Sequence, residues 1–292
     1  MDLEEEKERI IKFLREKLQE ENKDGYIVGV SGGIDSAVVS YLLRDAVGED
    51  KIFALIMPEM DSDPSSEKDA LLVVQNLRIP YKKLSLTKAL WTLGVYRSIP
   101  LWLIPFRSLK KKAVKYLYGE YTKNLDKPVF FAQREKVELK WFYDGIAYYR
   151  IKHRLRMILL YYFAEKKNYL VVGCENLTES LIGYYVRYGD DSCDVAPISH
   201  LYKTNVRKLG EFLGVPKKIL EKAPSPDLLP GITDEFSLGI DYESLDQILR
   251  AFEQGKDPSQ IEGFDQNILK LIYDQYLWAK KECKKPFKLE RL

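Results

Sequence analysis

The stretch from Tyr26 to Ser36, YIVGVSGGIDS, decides the fold. Ile27, Val28 and Val30 make an apolar run with no polar alternation, the pattern of a parallel strand buried on both faces. Ser31, Gly32, Gly33, Ile34, Asp35 and Ser36 follow, and helical spacing takes over at Ala37. A strand, a glycine turn and a helix start therefore succeed one another within a few residues. Glycines let the backbone approach a ligand, and the free amides of the helix start, with the hydroxyls of Ser31 and Ser36, form a cradle for an anion such as a phosphate. The turn lacks the Lys-Ser/Thr ending of the Walker loop and the third glycine of the dinucleotide fingerprint, so neither reading applies. A carboxylate at Asp35 repels a phosphate unless a divalent cation bridges the two, which implies magnesium.

Working outward, Leu3, Ile10, Ile11, Phe13, Leu14 and Leu18 give an amphipathic helix over 3–20. The helix after the turn ends at Gly48, and Ile52 to Met57 reads as a second strand. Asp63 caps a helix that has Pro64 at its first position and runs toward Arg78, and Tyr81 to Leu86 reads as a third strand. This alternation predicts an α/β fold with a doubly wound parallel sheet and a ligand site beyond the carboxyl ends of its strands.

Residues 88–147 break the rhythm and read as an insertion or lid within one domain spanning 1–292. Trp91, Trp102 and Trp141 share the segment with Arg107, Lys110, Lys111, Lys112 and Lys115. Aromatics among basic residues suit single-stranded nucleic acid, but a helical excursion with a solvated basic face is the preferred reading. A helix is expected from Tyr148, then a strand over Tyr169 to Gly173. The end of that strand should supply a second magnesium ligand, for which Glu179 is the candidate. Asp194 to Pro197 reads as a short edge strand, and Leu201 to Thr204 opens another helix whose Lys203 could steady charge on a phosphoryl group. Residues 223–241 are rich in Pro, Gly and Asp and read as a mobile active-site loop. Helices over Tyr242 to Phe252 and Asp265 to Glu282 follow.

Bulk properties narrow the classes. With 46% hydrophobic and 31% charged residues and a net charge of +2, the 292-residue chain reads as globular, with no general attraction for polyanions. Cys174, Cys193 and Cys283 lack metal-ligand spacing, so reduced thiols in the cytoplasm are expected rather than disulfides or zinc. The acidic start, MDLEEEKERI, is not a signal peptide, and no apolar run approaches the roughly 18 residues of a membrane span.

The loop resembles the pyrophosphate loop of the N-type ATP pyrophosphatases. The larger set VSGGIDSA, LIMPE, RLRM, NLTES, LIGYYVRYGD, DVAPI, LYKTNVRKLGEFLGVP, SPDLLPGITDE, LGIDYESLD and a terminal Lys-Lys-Pro resembles the ammonia-dependent NAD synthetase family. That resemblance implies an adenine-nucleotide α-hydrolase-like fold and an ATP-dependent amide ligase that adenylates deamido-NAD and passes the acyl group to ammonia. It implies ATP held by Ser31, Gly32, Gly33, Asp35, Ser36, Arg154 and Thr233, and magnesium on Asp35 and Glu179. Asp35, Lys203 and Thr204 are implied as catalytic, Arg150, Asp190 and Asp194 as acceptor-binding, and the protein as a cytoplasmic homodimer.

Several positions depart from the family's pattern: Arg150 before Ile151-Lys152-His153-Arg154, Cys174 after Gly173, Leu177 in Asn176-Leu177-Thr178-Glu179, and Ile232 before Thr233. They cluster on the acceptor side. Two rival readings stay open: a related AMP-forming ligase or sulfurtransferase with another acceptor, RNA or a cofactor precursor, using Cys174; and a non-catalytic homologue that binds ATP or AMP.

Overall fold

Strand β1 (Gly25–Gly29) lies in the middle of a parallel sheet, which is why, the Tyr26 hydroxyl apart, its side chains are apolar on both faces. The computed structural model describes residues 2–125, 127–133 and 135–282, the side chains of Lys140, Trp141 and Glu282 excepted; Cys283 and the Lys284-Lys285-Pro286 motif fall outside. Among the described residues β1 pairs with β2 (Ile52–Ile56) on one side and β4 (Tyr169–Val172) on the other, and β3 (Tyr81–Lys83) lies beyond β2. The register sets Val28 beside Ala54 and Val172. The sheet order β3-β2-β1-β4 reverses direction at β1, so the crevice between the ends of β1 and β4 is a topological switch point.

Helices cover both faces. On one, Leu3–Glu20, Ile34–Val47, Pro64–Asn76 and Lys203–Phe212 bury Leu14, Val38, Leu42, Val73 and Val206 against the sheet. Tyr26 reaches across to this layer, its hydroxyl donating to the Leu14 carbonyl. On the other, Lys140–Lys167 crosses β1 and β4, with Leu86, Leu90, Tyr96 and Tyr148 packed beside Ile27 and Leu55. A further apolar cluster joins Tyr242–Glu253 and Gln266–Glu282 to Phe130, Phe131 and Leu238.

Several boundaries differ from the sequence expectation for identifiable reasons. The helix after the glycine turn starts at Ile34 rather than Ala37, because extended Gly33 is its N-cap, so Asp35 and Ser36 sit in the first turn. The helix expected from Tyr148 starts at Lys140, where aromatic residues around the whole circumference hide the period. Asp194 to Pro197 gives no strand, only one parallel bridge between Val195 and Val172, and Pro197 has no amide to extend it. Residues 223–241 are better anchored than their composition suggests: Leu228, Ile232 and Leu238 are buried, and Asp234–Leu238 is helical. The 88–147 segment is helical in pieces, chiefly Thr87–Thr92, Arg107–Leu125 and Val129–Ala132.

Candidate active site

Gly32 turns the chain with φ near +79°, and a Cβ there would lie 2.2 Å from the Ser66 carbonyl oxygen; both conditions demand glycine. The turn is tied to itself. The Ser31 amide donates to Ser36 Oγ at 3.2 Å, the two hydroxyls are 3.0 Å apart, and the Gly33 amide donates to Ser31 Oγ at 3.2 Å. This cradle stands at the N-terminus of Ile34–Val47, where the helix dipole favours an anion.

The β4 end supplies the facing wall. Asn176 caps the short helix Leu177–Ile182 in a capping box with Glu179, and its Nδ2 donates to Asp35 Oδ1 at 3.1 Å. The Lys203–Phe212 helix then delivers its first side chain between the two acids: Lys203 Nζ lies 2.6 Å from Asp35 Oδ2 and 3.1 Å from Glu179 Oε1. The ammonium also sits 5.0 Å from the centre of the Tyr242 ring. Tyr242 and Tyr184 donate to the two oxygens of Asp234, at 2.9 and 3.3 Å.

Burial opposes the charge on Lys203, but Asp35, Glu179 and Asp234 outweigh it and hold the amine well above its ordinary value. Burial pushes Glu179 up to about 8; Lys203 counters, while Asp35 and Asp234 add to the rise. Asp234 is raised as well, again chiefly by burial. Three carboxylates around one ammonium leave the site short of positive charge. All these donors are hard oxygens, the chemistry of a magnesium-type cation. Among the described residues no group of three or more His, Cys, Asp or Glu is arranged to hold a metal ion. A cation shared by Asp35 and Glu179 would therefore take its other ligands from phosphate oxygens and water.

A cavity of about 460 Å³ extends from this floor. Ser31, Gly33, Asp35 and Ser36 line it, with Glu179 and Lys203 opposite. Segment 223–239 closes one side through Pro224, Asp227, Leu228, Ile232 and Asp234, and the 88–147 segment provides a roof that includes Val114, Tyr118, Phe130 and Gln133.

The remaining sequence-selected residues fall into two groups. Asp190 lines the cavity; it accepts from the Val186 amide at 2.7 Å and lies 3.6 Å from His153 Nδ1. Arg150 stands one step back and donates to Gln133 Oε1 at 2.8 Å. Gly32, Arg154, Asp194, Thr204 and Thr233 are not in the cavity wall. The Arg154 guanidinium donates to the Arg187 carbonyl, whereas Arg156, about 200° further round the same helix, faces the cavity and donates to the Met57 carbonyl. Asp194 accepts from the Val171 amide at 2.7 Å and secures the bridge to β4. Thr204 is held by its own amide on Asp246, and Thr233 caps Asp234–Leu238.

Among the cavity residues that escaped the sequence reading are Arg156, Lys222 and Asp234. Lys222 donates to the Gly32 carbonyl, Ser66 Oγ and Asp69 Oδ2 at 3.3, 3.1 and 2.9 Å, so a cation lies beneath the glycine turn. The Arg-x-Arg spacing carried a signal for Arg156, since residues two apart face opposite ways on a helix. Cys174 lines the cavity as well, but burial and then the charges of Asp35 and Glu179 push its thiol far up, against thiolate chemistry.

A switch-point crevice with a glycine-turn cradle, a charged lysine and paired carboxylates defines an α/β protein of the class whose ligand site lies beyond the strand ends, with a cradle suited to an anion. The chain belongs to the NAD synthase family, whose model matches residues 6–95 and 111–286. Within the segment read as an insertion, only 96–110 falls outside that match. The chain is 53% identical over 290 residues to the NH(3)-dependent NAD(+) synthetase of Coprothermobacter proteolyticus, covering 98% of each. It is 47% identical over 253 residues to that of Thermotoga maritima, covering 87% of this chain and 89% of the relative. Among solved structures, the NMN synthetase of Francisella tularensis superposes with a TM-score of 0.73 at 25% identity, covering 100% of both chains. An NH3-dependent NAD synthetase of Campylobacter jejuni shares the fold with a TM-score of 0.68 at 24% identity, covering 99% of this chain and 100% of that one. Family membership makes the protein an enzyme of NAD formation, of the ligase type.

Proposed function

We propose that the enzyme adenylates the nicotinate carboxylate of deamido-NAD with ATP and passes the acyl group to ammonia, giving NAD, AMP and pyrophosphate. One observation carries this reading: Lys203 is held between Asp35 and Glu179 at the mouth of the amide cradle. A carboxylate oxygen of the acceptor attacks the α-phosphorus, and the bond to the bridging oxygen of the β-phosphate breaks. Pyrophosphate leaves against the amides and hydroxyls of Ser31, Gly33 and Ser36, with Gly32 setting the turn. Lys203 offsets the charge that develops. Asp35 and Glu179 would hold magnesium, which when bound supplies counter-charge to the phosphates. Ammonia then attacks the activated carbonyl carbon, AMP leaves with the C–O bond electrons, and the nitrogen gives up a proton. This second step depends on a positioned intermediate and a dry cavity, the task of segments 88–147 and 223–239.

Asp190, in the wall, and Arg150, through Gln133, would face the acceptor. Arg156 joins Arg154 and Thr233 as a candidate for the nucleotide, with Arg154, Thr233 and Thr204 acting through the backbone they fix. The basic stretch of 107–115 spends Arg107 and Lys111 on Asp63 and Lys110 on Asp61, which favours a structural role over nucleic-acid binding. Among the described residues no helix is long and apolar enough to cross a membrane. A homodimer in the cytoplasm, each chain one domain with 88–147 as its lid, completes the proposal.

The test is direct. Protein incubated with ATP, magnesium, ammonium and deamido-NAD should yield NAD and AMP in equal amounts, and nicotinate mononucleotide in a parallel reaction should be the poorer acceptor. AMP formation with neither acceptor would leave ATP cleavage standing and overturn the assignment of the acceptor.

A further inference from the structure

A second ionic cluster lies outside the cavity wall and takes no part in the phosphate chemistry. Lys152 is fully buried, at 0% exposure, with Glu59 at 6% and Asp61 at 1%. Its ammonium donates to Glu59 Oε1 at 3.1 Å, Asp61 Oδ2 at 2.9 Å and the Leu228 carbonyl at 2.8 Å. Tyr96 donates to the other oxygen of Glu59 at 2.6 Å, and Tyr148 donates to Asp61 while presenting its ring 4.2 Å from the ammonium. Lys110, from the roof helix, stands 3.5 Å from Asp61 Oδ1. The loop after β2, the roof and the Lys140–Lys167 helix thus meet at one buried amine.

Its third hydrogen bond is the informative one. Two carboxylates would already compensate the charge, and a buried ion pair adds little stability over a well-packed apolar replacement, so such a cluster serves better as a device that fixes one arrangement. The Leu228 carbonyl belongs to the cavity wall, and Asp227, the residue before it, holds a left-handed φ of 51° while accepting from the Asp63 amide at 2.8 Å. A strained backbone persists where its surroundings over-determine it. Here Lys152 and the Asp63 amide restrain successive residues of a single wall.

We propose that Lys152 is a positioning residue which, through the Leu228 carbonyl, clamps segment 224–232 shut over the cavity and so keeps water from the activated acceptor. The inference rests on the adenylation reading. Without the clamp, water replaces ammonia: it attacks the same carbonyl carbon, AMP leaves, and the acceptor carboxylate is regenerated with release of protons. ATP is then consumed without NAD.

The test compares AMP with NAD, together with amide hydrogen exchange over 224–232, in the wild type and Lys152→Met. The expected result is equal amounts in the wild type, AMP exceeding NAD by about threefold or more in the variant as the segment opens on the order of tenfold more often, and an unchanged KM for ATP. A folded variant that keeps the ratio at one, however slow, overturns the proposal. If Lys152→Met does not fold, Lys152→Met combined with Glu59→Gln and Asp61→Asn, which leaves neither partner as an uncompensated buried charge, decides in the same way: a ratio above one supports the clamp and a ratio of one overturns it. Should the wild type form no NAD, the reaction assignment falls instead. Exchange then judges the clamp alone: faster exchange over 224–232 in the variant supports it and unchanged exchange overturns it.

Discussion

The floor and the roof of the cavity are built on opposite principles. The floor is built at the ends of elements: one turn between β1 and its helix supplies the amides, hydroxyls and first carboxylate, and the first turns of two further helices bring Glu179 and Lys203 to it, Lys203 from 168 positions along the chain. The roof is assembled from helices and loops away from the strand ends, through scattered side-chain contacts. Tyr118 meets Ser237 across 119 positions, Arg107 meets the Ser62 carbonyl across 45, and Lys111 meets Asp63 across 48. Chemistry that must not vary is set on the first turns of helices that follow strand ends or abut them. Enclosure, which must open for substrate, is set on tertiary contacts that can break individually.

The largest test of this division is Asp35→Asn. It removes the proposed cation ligand and a partner of Lys203 together, so turnover should fall by about three orders of magnitude or more while the melting temperature stays within a few degrees. Activity near the wild-type level would show that the floor is not where phosphate charge is managed. On the roof, Tyr118→Phe deletes the hydroxyl that meets Ser237 Oγ at 2.9 Å. Loss of one such bond is expected to reduce turnover about fivefold with the KM for ATP unchanged. A loss as deep as that of Asp35→Asn would erase the distinction.

Smaller effects sharpen the boundary between the two regions. Glu175 lies in the cavity wall, and burial, reinforced by Glu179, Asp190 and Asp191, pushes it up to about 9. Raised in the folded state from an ordinary value of 4.5, this carboxyl binds more proton folded than unfolded, so its contribution falls as pH rises from about 4.5 to about 9. Glu175→Gln should therefore raise the melting temperature of the ligand-free protein by a few degrees at pH 8 and by less at pH 5, as scanning calorimetry would read. An equal shift at both values would place the acid in a wetter setting. Cys174→Ala is expected to leave turnover unchanged, since the thiol stays protonated; a large loss would revive the sulfur-transfer reading.

What could be read from the chain follows the same line. The cradle and the parallel order of strands depend on residues close in sequence or on a repeating period, and Asp35 and Glu179, far apart in the chain, follow the ends of neighbouring strands, so all of these were legible. The roof was not. Its basic run looked like a solvated face or a nucleic-acid surface because the acids that engage it, Asp61 and Asp63, lie more than forty residues away. Lys152 likewise passed as one more cation on a helix, and its burial became visible only with Glu59, Asp61 and Leu228 around it. Arg156 faces the cavity and Arg154 does not, a difference that follows from helix geometry, while the anchoring of 223–241 by Leu228, Ile232 and Leu238 was masked by its prolines and glycines.

The central position of β1 has a consequence for how the molecule breathes. A strand flanked on both sides by hydrogen-bonded neighbours exchanges its amides only when the whole sheet comes apart, whereas an outer strand such as β3 can fray alone. Since the anion cradle is the direct continuation of β1, it shares the protection of an interior strand. Guests can come and go through repeated partial openings without the grip itself ever having to re-form.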